Sequence, residues 1–280
     1  MARGGSRFAG RPVARYHFCH SLAAMSLLLH PGPELVIGHR GAAAVRPENT
    51  LPSFRYAMEL GVDAVEFDVR VTGDGVAVVH HDPTTLRTCG EELWIERASI
   101  GALRRLDAAT TFDGDFHSAR RTTIPLLDEV LDLTRSMPVI IECKTLDAAP
   151  LVLQALAAHG ATDRALVGSF QHAAVKGVRA SDVASSASRR DMLRLMARSL
   201  VRFAPRRLPF TAMCLPEVSS GIALPIARFA AWGRAIGVPV HVWTVNSSAD
   251  AGRLWDAGVT GMISDDPATI LAARESRRGR

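Results

Sequence analysis

The segment Ala64–Asp82, AVEFDVRVTGDGVAVVHHD, reads as an apolar strand, a tight turn and a second strand. Yet the first strand carries Glu66 and Asp68, and the second runs into His80, His81 and Asp82. Glu66 and Asp68 are two apart, so they project from one face. With Gly73 and Asp74 as the central turn residues, Thr72 pairs with Gly75, and counting along the ladder sets His81 opposite Glu66. A slip of one residue would put His80 there instead. Two further strand-like runs end in chemistry: LVIG (35–38) leads into His39 and Arg40, and PVIIEC (138–143) holds Glu142 just before Lys144. By alternation Glu142 and Lys144 also share a face.

Three carboxylates gathered together repel one another, and a cation relieves that at least cost. An all-oxygen set (Glu66, Asp68, Glu142) suits a hard divalent ion, Mg2+ or Ca2+. Arg40 and Lys144 beside it point to an anionic substrate, with phosphate the best fit. His39 and His81 could then serve as general acid and base for P–O cleavage, with the metal and the basic groups stabilising charge on the phosphoryl oxygens. His80 reads as structural, because only one histidine fits the ladder. Asn49 or Thr50 is placed to cap the helix that follows, with Asn49 read as a cap rather than a ligand, Glu48 as either a site residue or a tie for its loop, and Cys143 as packing.

The elements that must position these groups alternate. From Glu34 onward short apolar runs are followed by longer amphipathic ones: strands at 35–38, 64–69, 138–143, 165–170, 182–188, 210–216, 238–245 and 259–265, with helices between and a last helix at Pro267–Arg274. Eight such units in about 235 residues match the (β/α)8 barrel, which needs roughly 250. A doubly wound open sheet is the rival, but GHRGAAA (38–44) after the first strand is not the glycine-rich dinucleotide turn. Barrel strands end at the active-site face, and that is where the ionisable residues fall. Residues 83–123 form a small insertion after the second-strand hairpin. Residues 1–33 read as a poorly ordered or loosely packed leader, residues 34–274 as the barrel, and 275–280 as a disordered basic tail.

Composition narrows the partners. The chain has 280 residues, 48% hydrophobic, with net charge +5. The positive charge is almost all arginine, since Lys144 and Lys176 are the lysines. Arginines are scattered, with no basic stripe interleaved with aromatics, so nucleic acid is not expected as a partner. No run of eighteen apolar residues exists. Cys19, Cys89, Cys143 and Cys214 form no CxxC pair, which argues against zinc and for a reducing, cytoplasmic compartment. The arginines before SLAAMSLLL (21–29) resemble a signal peptide superficially, without a cleavage site after it, and Met25 is an alternative start.

Several spaced motifs together carry a resemblance: HRG (39–41), PENT (47–50), EFDVRVTGDGVAVVHHD (66–82), IPLLDEVL (124–131), IECK (141–144), HVWTVN (241–246) and MISDDP (262–267). In order, spacing and strand context they resemble the glycerophosphodiester phosphodiesterase family. That resemblance implies a TIM-barrel hydrolase using a divalent cation, which cleaves glycerophosphodiesters to glycerol 3-phosphate and an alcohol. It implies His39 and His81 as the acid–base pair, Glu66, Asp68 and Glu142 as metal ligands, and Arg40 and Lys144 on the phosphate. Trp243, at the end of the seventh strand, would line the pocket. A lysophospholipase D-type lipid phosphodiesterase is the alternative on the same barrel. It would need an apolar channel and membrane contact, toward which the amphipathic basic helix from Met192 to Phe203 points. A catalytically inactive, metabolite-binding barrel is a third reading. A dead relative would usually have lost a histidine or carboxylate, and this chain keeps them all.

Overall fold

A computed structural model describes residues 27–279. The strands are β1 (Leu35–His39), β2 (Ala64–Val71), β3 (Ala77–Val79), β4 (Val139–Cys143), β5 (Ala165–Gly168), β6 (Ala184–Ser185), β7 (Met213–Pro216), β8 (Val218–Ser219), β9 (Ile222–Ala223), β10 (Val240–Trp243) and β11 (Gly261–Ser264). Eight of them pair in parallel, in the order β6-β5-β4-β2-β1-β11-β10-β7. A parallel bridge between Ser186 and Ala212 joins the two ends. It is flanked by hydrogen bonds from Thr211 N–H to the Ser185 carbonyl (2.9 Å) and from Ala187 N–H to the Ala212 carbonyl (3.1 Å). The sheet therefore closes into the expected barrel, with helices outside: α1 (Leu51–Leu60), α2 (Leu86–Cys89), α3 (Ile100–Leu103), α4 (Leu127–Leu133), α5 (Ala148–Ala158), α6 (His172–Val178), α7 (Arg189–Leu200), α8 (Ile226–Ile236), α9 (Ser248–Asp256) and α10 (Pro267–Arg278).

Side-chain alternation sorts every strand into an inner and an outer row. Val36, Val65, Phe67, Val139, Ile141 and Val167 face the helices and share one buried cluster with them. Leu35, Ile37, Ala64, Ile140, Leu166 and Ile263 pack inside the barrel as another. Following the inner row upward, β1 reads Leu35, Ile37, His39 and β2 reads Ala64, Glu66, Asp68. Apolar layers thus fill the lower barrel, and ionisable groups form its top.

The ends of the chain differ from expectation. Of the leader, residues 1–26 lie outside the described residues, but residues 27–29 form a helical turn. Leu28 is buried in the inner cluster, and the His241 Nε2–H donates to its carbonyl (2.9 Å). An apolar barrel floor takes up the leucine, so this part of the leader is core. The last helix runs to Arg278 rather than stopping at Arg274. Of the stretch read as a disordered tail, residues 275–279 are held because Arg277 pairs with Glu34 (3.1 Å) and Asp256 (2.9 Å), and residue 280 lies outside the described residues. One turn earlier Arg274 binds Asp63.

The β2–β3 hairpin carries the insertion. Thr72 N–H bonds the Val76 carbonyl (2.9 Å), so the turn has three residues, with Gly75 left-handed (φ 81°). The insertion, residues 83–123, adds α2, α3 and a core of its own around Ile95, Leu103, Leu106 and Ile124. A second hairpin, β8–β9, was not legible in the sequence.

His241 is fully buried, and burial pulls its pKa down to about 4. In the unfolded chain it would titrate near 6.5. Between those values the unfolded state binds the extra proton, so stability is complete above the unfolded pKa and is lost as pH falls toward 4. The shift corresponds to about 3 kcal/mol. Urea unfolding from pH 7 to pH 4 should show that slope in the wild type and a shallower one in His241→Phe. Identical slopes would mean that the histidine is not held neutral against the barrel floor.

Candidate active site

The top inner layer is assembled by register. His39 lies beside Glu66 across the β1–β2 pairing, and Asp68 beside Glu142 across β2–β4. Lys144 continues β4, its N–H bonded to the Val69 carbonyl (2.9 Å). Oxygens of Glu66, Asp68 and Glu142 all lie within 4.8 Å of one another. Glu66 and Asp68 are buried, deeper than a solvent-facing mouth would put them.

Basic groups surround the carboxylates. Lys144 Nζ is 2.9 Å from Asp68 Oδ1 and 3.0 Å from Glu142 Oε1. Arg40 Nε is 3.2 Å from Asp68 Oδ2, and the Arg40 backbone N–H donates to Glu66 Oε2 (3.2 Å). That donation needs the chain to turn sharply after β1. Arg40 (φ 50°) and Gly41 (φ 91°) are both left-handed, and a β-carbon at Gly41 would collide with Ser53 of α1. This is the physical content of the HRG motif.

The charges of this layer are strongly perturbed. Burial, then the neighbouring Asp68, pushes the Glu66 carboxyl up to about 7. Burial alone would raise Asp68 too, but Lys144, Arg40 and His81 hold it well below the ordinary range. Burial opposes the charge on Lys144, and Asp68 and Glu142 more than restore it, so its pKa is raised.

Both expected histidines line the pocket. His39 Nδ1 is 2.6 Å from Asp265 Oδ1, and its Nε2 lies 3.8 Å from Glu66. His81 Nδ1 is 2.7 Å from Asp82 Oδ1. In each case the carboxylate fixes Nδ1 as the protonated nitrogen and leaves Nε2 for the pocket. Burial lowers the pKa of His39, but the Asp265 hydrogen bond and the Glu66 charge outweigh it, so the net shift is upward. For His81 burial prevails and the net shift is downward.

The hairpin register corrects the path by which His81 arrives. Val69 pairs with Val79, Arg70 with Val78 and Val71 with Ala77, one residue off the expected ladder. The three-residue turn causes the slip. His80, not His81, continues the ladder, its N–H bonded to the Asp68 carbonyl (3.0 Å). It is then buried, with Nε2–H donating to the Thr84 carbonyl (3.2 Å). The strand has ended by then, and a bend at 81–83 carries His81 to the pocket. His81 is thus placed by the bend rather than by cross-strand pairing with Glu66.

The pocket, open to solvent, has two halves. One is ionic: His39, Arg40, Glu66, His81, Glu142 and Lys144. The other is apolar, with Trp243 set edge-on to Phe170 at 5.9 Å above Ile140, Ala187 and Cys214. Trp243 is where the sequence put it; Phe170 and Cys214 were not anticipated. Nor was the supporting shell. The Asn49 side chain donates to Asp68 Oδ2 (2.9 Å) and accepts from the Asp68 N–H (3.3 Å), while Thr50 caps α1 in its place. Glu48 joins Arg40 (2.8 Å) to Arg87 of the insertion (2.7 Å), so it ties the loop to the site. Asn246 donates to Asp265 Oδ2 (3.0 Å). The PENT and MISDDP motifs held the signal for Asn49 and Asp265, but neither role shows without the contact.

Asp265→Ala leaves His39 Nδ1 without its partner. Steady-state kinetics on a soluble phosphodiester should show kcat down on the order of 100-fold with KM little changed. A fall confined to KM would place Asp265 on substrate rather than behind His39.

The match to known proteins agrees with this geometry. Residues 39–269 match the model of the Glycerophosphoryl diester phosphodiesterase family. A glycerophosphodiester phosphodiesterase of Caldanaerobacter subterraneus subsp. tengcongensis is 31% identical over 252 residues, covering 85% of this chain and 96% of that protein. One from Bacillus subtilis is 26% identical, covering 88% of each. Among solved structures, an Oleispira antarctica phosphodiesterase in complex with the product sn-glycerol-3-phosphate superposes with a TM-score of 0.70 at 24% identity, over 86% of this chain and 96% of that one. The glycerophosphodiester phosphodiesterase of Agrobacterium tumefaciens C58 gives 0.68 at 23% identity, over 85% and 99%. With a family model spanning most of its length and a relative above 30% identity, the chain belongs to the glycerophosphoryl diester phosphodiesterase family.

Proposed function

We propose that this chain is a metal-dependent phosphodiesterase that hydrolyses glycerophosphodiesters to glycerol 3-phosphate and an alcohol. One observation carries the reading: Glu66 and Glu142, with the buried Asp68 within 4.8 Å of both, share one pocket with two carboxylate-braced histidines and two cationic side chains. The product bound to the Oleispira antarctica relative supports the choice of substrate class.

Glu66, Asp68 and Glu142 fit a divalent cation. They offer only oxygen, they lie within 4.8 Å of one another, and Glu66 is pushed up to about 7 where no cation offsets its burial and its neighbour. Mg2+ and Ca2+ both suit such ligands. Bound there, the ion would supply Lewis-acid stabilisation of charge on the phosphoryl oxygens.

The chain's own groups do the rest. Lys144 and Arg40 bind and orient the phosphodiester anion. Nε2 of one histidine takes the proton from the attacking oxygen, and Nε2 of the other gives one to the departing alcohol oxygen. Asp265 and Asp82 hold the two rings in the tautomer this requires. The Phe170–Trp243 side of the pocket offers an apolar wall to the carbon skeleton. Cys89, Cys143 and Cys214 are free thiols, which supports a reducing, cytoplasmic setting.

Purified protein should release glycerol 3-phosphate from glycerophosphocholine with Mg2+ or Ca2+, and chelator should stop it. His39→Ala and His81→Ala should each lower kcat roughly 100- to 10,000-fold. Undiminished turnover by His81→Ala would remove it from the chemistry. Turnover of a lysophospholipid but of no small diester would move the function to a lipid phosphodiesterase.

A further inference from the structure

Helix α7 and the loop after it, residues 189–209, form the most basic surface segment of the chain. Met192, Leu195 and Ser199 are its buried face. Its acidic residue, Asp191, is buried against Arg179 (2.6 Å) and caps the helix with Ser188. Everything else charged on it is arginine: seven between Arg189 and Arg207, all exposed. Among the described residues none of the seven lies within ion-pair distance of a carboxylate, whereas the exposed Arg87 and Arg253 are paired with Glu48 and Glu217.

The same segment exposes large apolar side chains: Leu193 (59%), Leu200 (83%), Val201 (74%) and Phe203 (61%). Single exposed hydrophobics are ordinary, but four within eleven residues, interleaved with arginines that have no carboxylate partner, are not; Arg198 stacks on the Phe203 ring (5.4 Å). Packing against the barrel explains only the buried face.

We propose that this segment docks the protein on an anionic phospholipid surface. Such a surface answers both features at once: lipid phosphates take the guanidinium groups, and the hydrocarbon just beneath takes Leu200, Val201 and Phe203. A nucleic acid would satisfy the arginines and leave the aliphatic side chains in water. The placement also has a direction. The helix starts just after the pocket residues Ser186 and Ala187 and returns the chain to the N-terminal end of β7, so Leu200–Phe203 lie at the end of the barrel opposite the pocket. Docked there, the protein keeps its pocket turned to solvent. If the proposed function holds, this positions it to receive soluble glycerophosphodiesters as deacylation of membrane phospholipids releases them, rather than to pull a lipid from the bilayer.

Cosedimentation of the full chain with vesicles tests this, using phosphatidylcholine alone and phosphatidylcholine mixed equally with phosphatidylglycerol. Binding should require the anionic lipid and weaken with salt. It should fall at least tenfold in Leu200→Asp/Phe203→Asp and in Arg202→Glu/Arg206→Glu, at about fivefold per arginine neutralised. Turnover of soluble glycerophosphocholine should be the same in wild type and variants, which also shows that the variants are folded. A chain inactive on every diester would sink the proposed function without touching the vesicle result. No binding to anionic vesicles, or binding that survives Leu200→Asp/Phe203→Asp, overturns the docking proposal. So does tight binding to duplex DNA with none to vesicles, or a dimer abolished by the apolar variant with no vesicle binding.

Discussion

Three carboxylates held within 4.8 Å of one another at the top of a closed barrel are the constraint on which the rest of the site depends. Like charges repel more strongly where burial limits screening by solvent. The chain answers with cations carried on the same layer: Lys144 between Asp68 and Glu142, and Arg40 against Asp68. Each of those is fixed in turn. Arg40 is held by Glu48, Glu48 by Arg87 of the insertion, and Asp68 by Asn49. The loop after β1 and the insertion after β3, far apart in sequence, are thus tied together by the electrostatics of one carboxylate layer. Glu66 has only His39 and Arg40 to offset its burial and the charges of Asp68 and Glu142, and its pKa is pushed up to about 7.

The barrel interior shows how far neighbours decide what a residue type does. His39 and His241 both face inward on β-strands. At the top His39 has Asp265 and Glu66 beside it, and its charged form is favoured. At the floor His241 has only the Leu28 carbonyl to meet, and burial keeps it neutral. The layers between are aliphatic. A polar top over an apolar floor follows from a two-residue period run through eight staggered strands.

The outer surface divides in a similar way. Beside the pocket, Arg40 and Arg87 are paired with Glu48, and Phe170 packs edge to face on Trp243. In the segment of residues 189–209 none of the seven arginines has a carboxylate partner among the described residues, and the one contact between its exposed charged and aromatic groups is Arg198 over the Phe203 ring (5.4 Å). The ionic pocket and this arginine-rich segment therefore sit at opposite ends of one small barrel.

Read alone, the sequence determined the barrel and most of its reactive residues. Alternating apolar strands with amphipathic helices leave few folds open, and ionisable residues two apart at strand ends must share the inner face. Glu66, Asp68, Glu142, Lys144 and His39 were all legible in this way, because a strand's period is local, whereas Trp243 came from the family resemblance. Contacts between distant segments were not. The hairpin register depended on a three-residue turn closed by Gly75, and one residue there changed which histidine follows the ladder. Asp265 behind His39, Asn49 behind Asp68 and Leu28 under His241 are separated from their partners by 226, 19 and 213 residues. No periodicity links such positions. Only closing the barrel brings them together, and that closure decides which tautomer, which charge and which rotamer each reactive group holds.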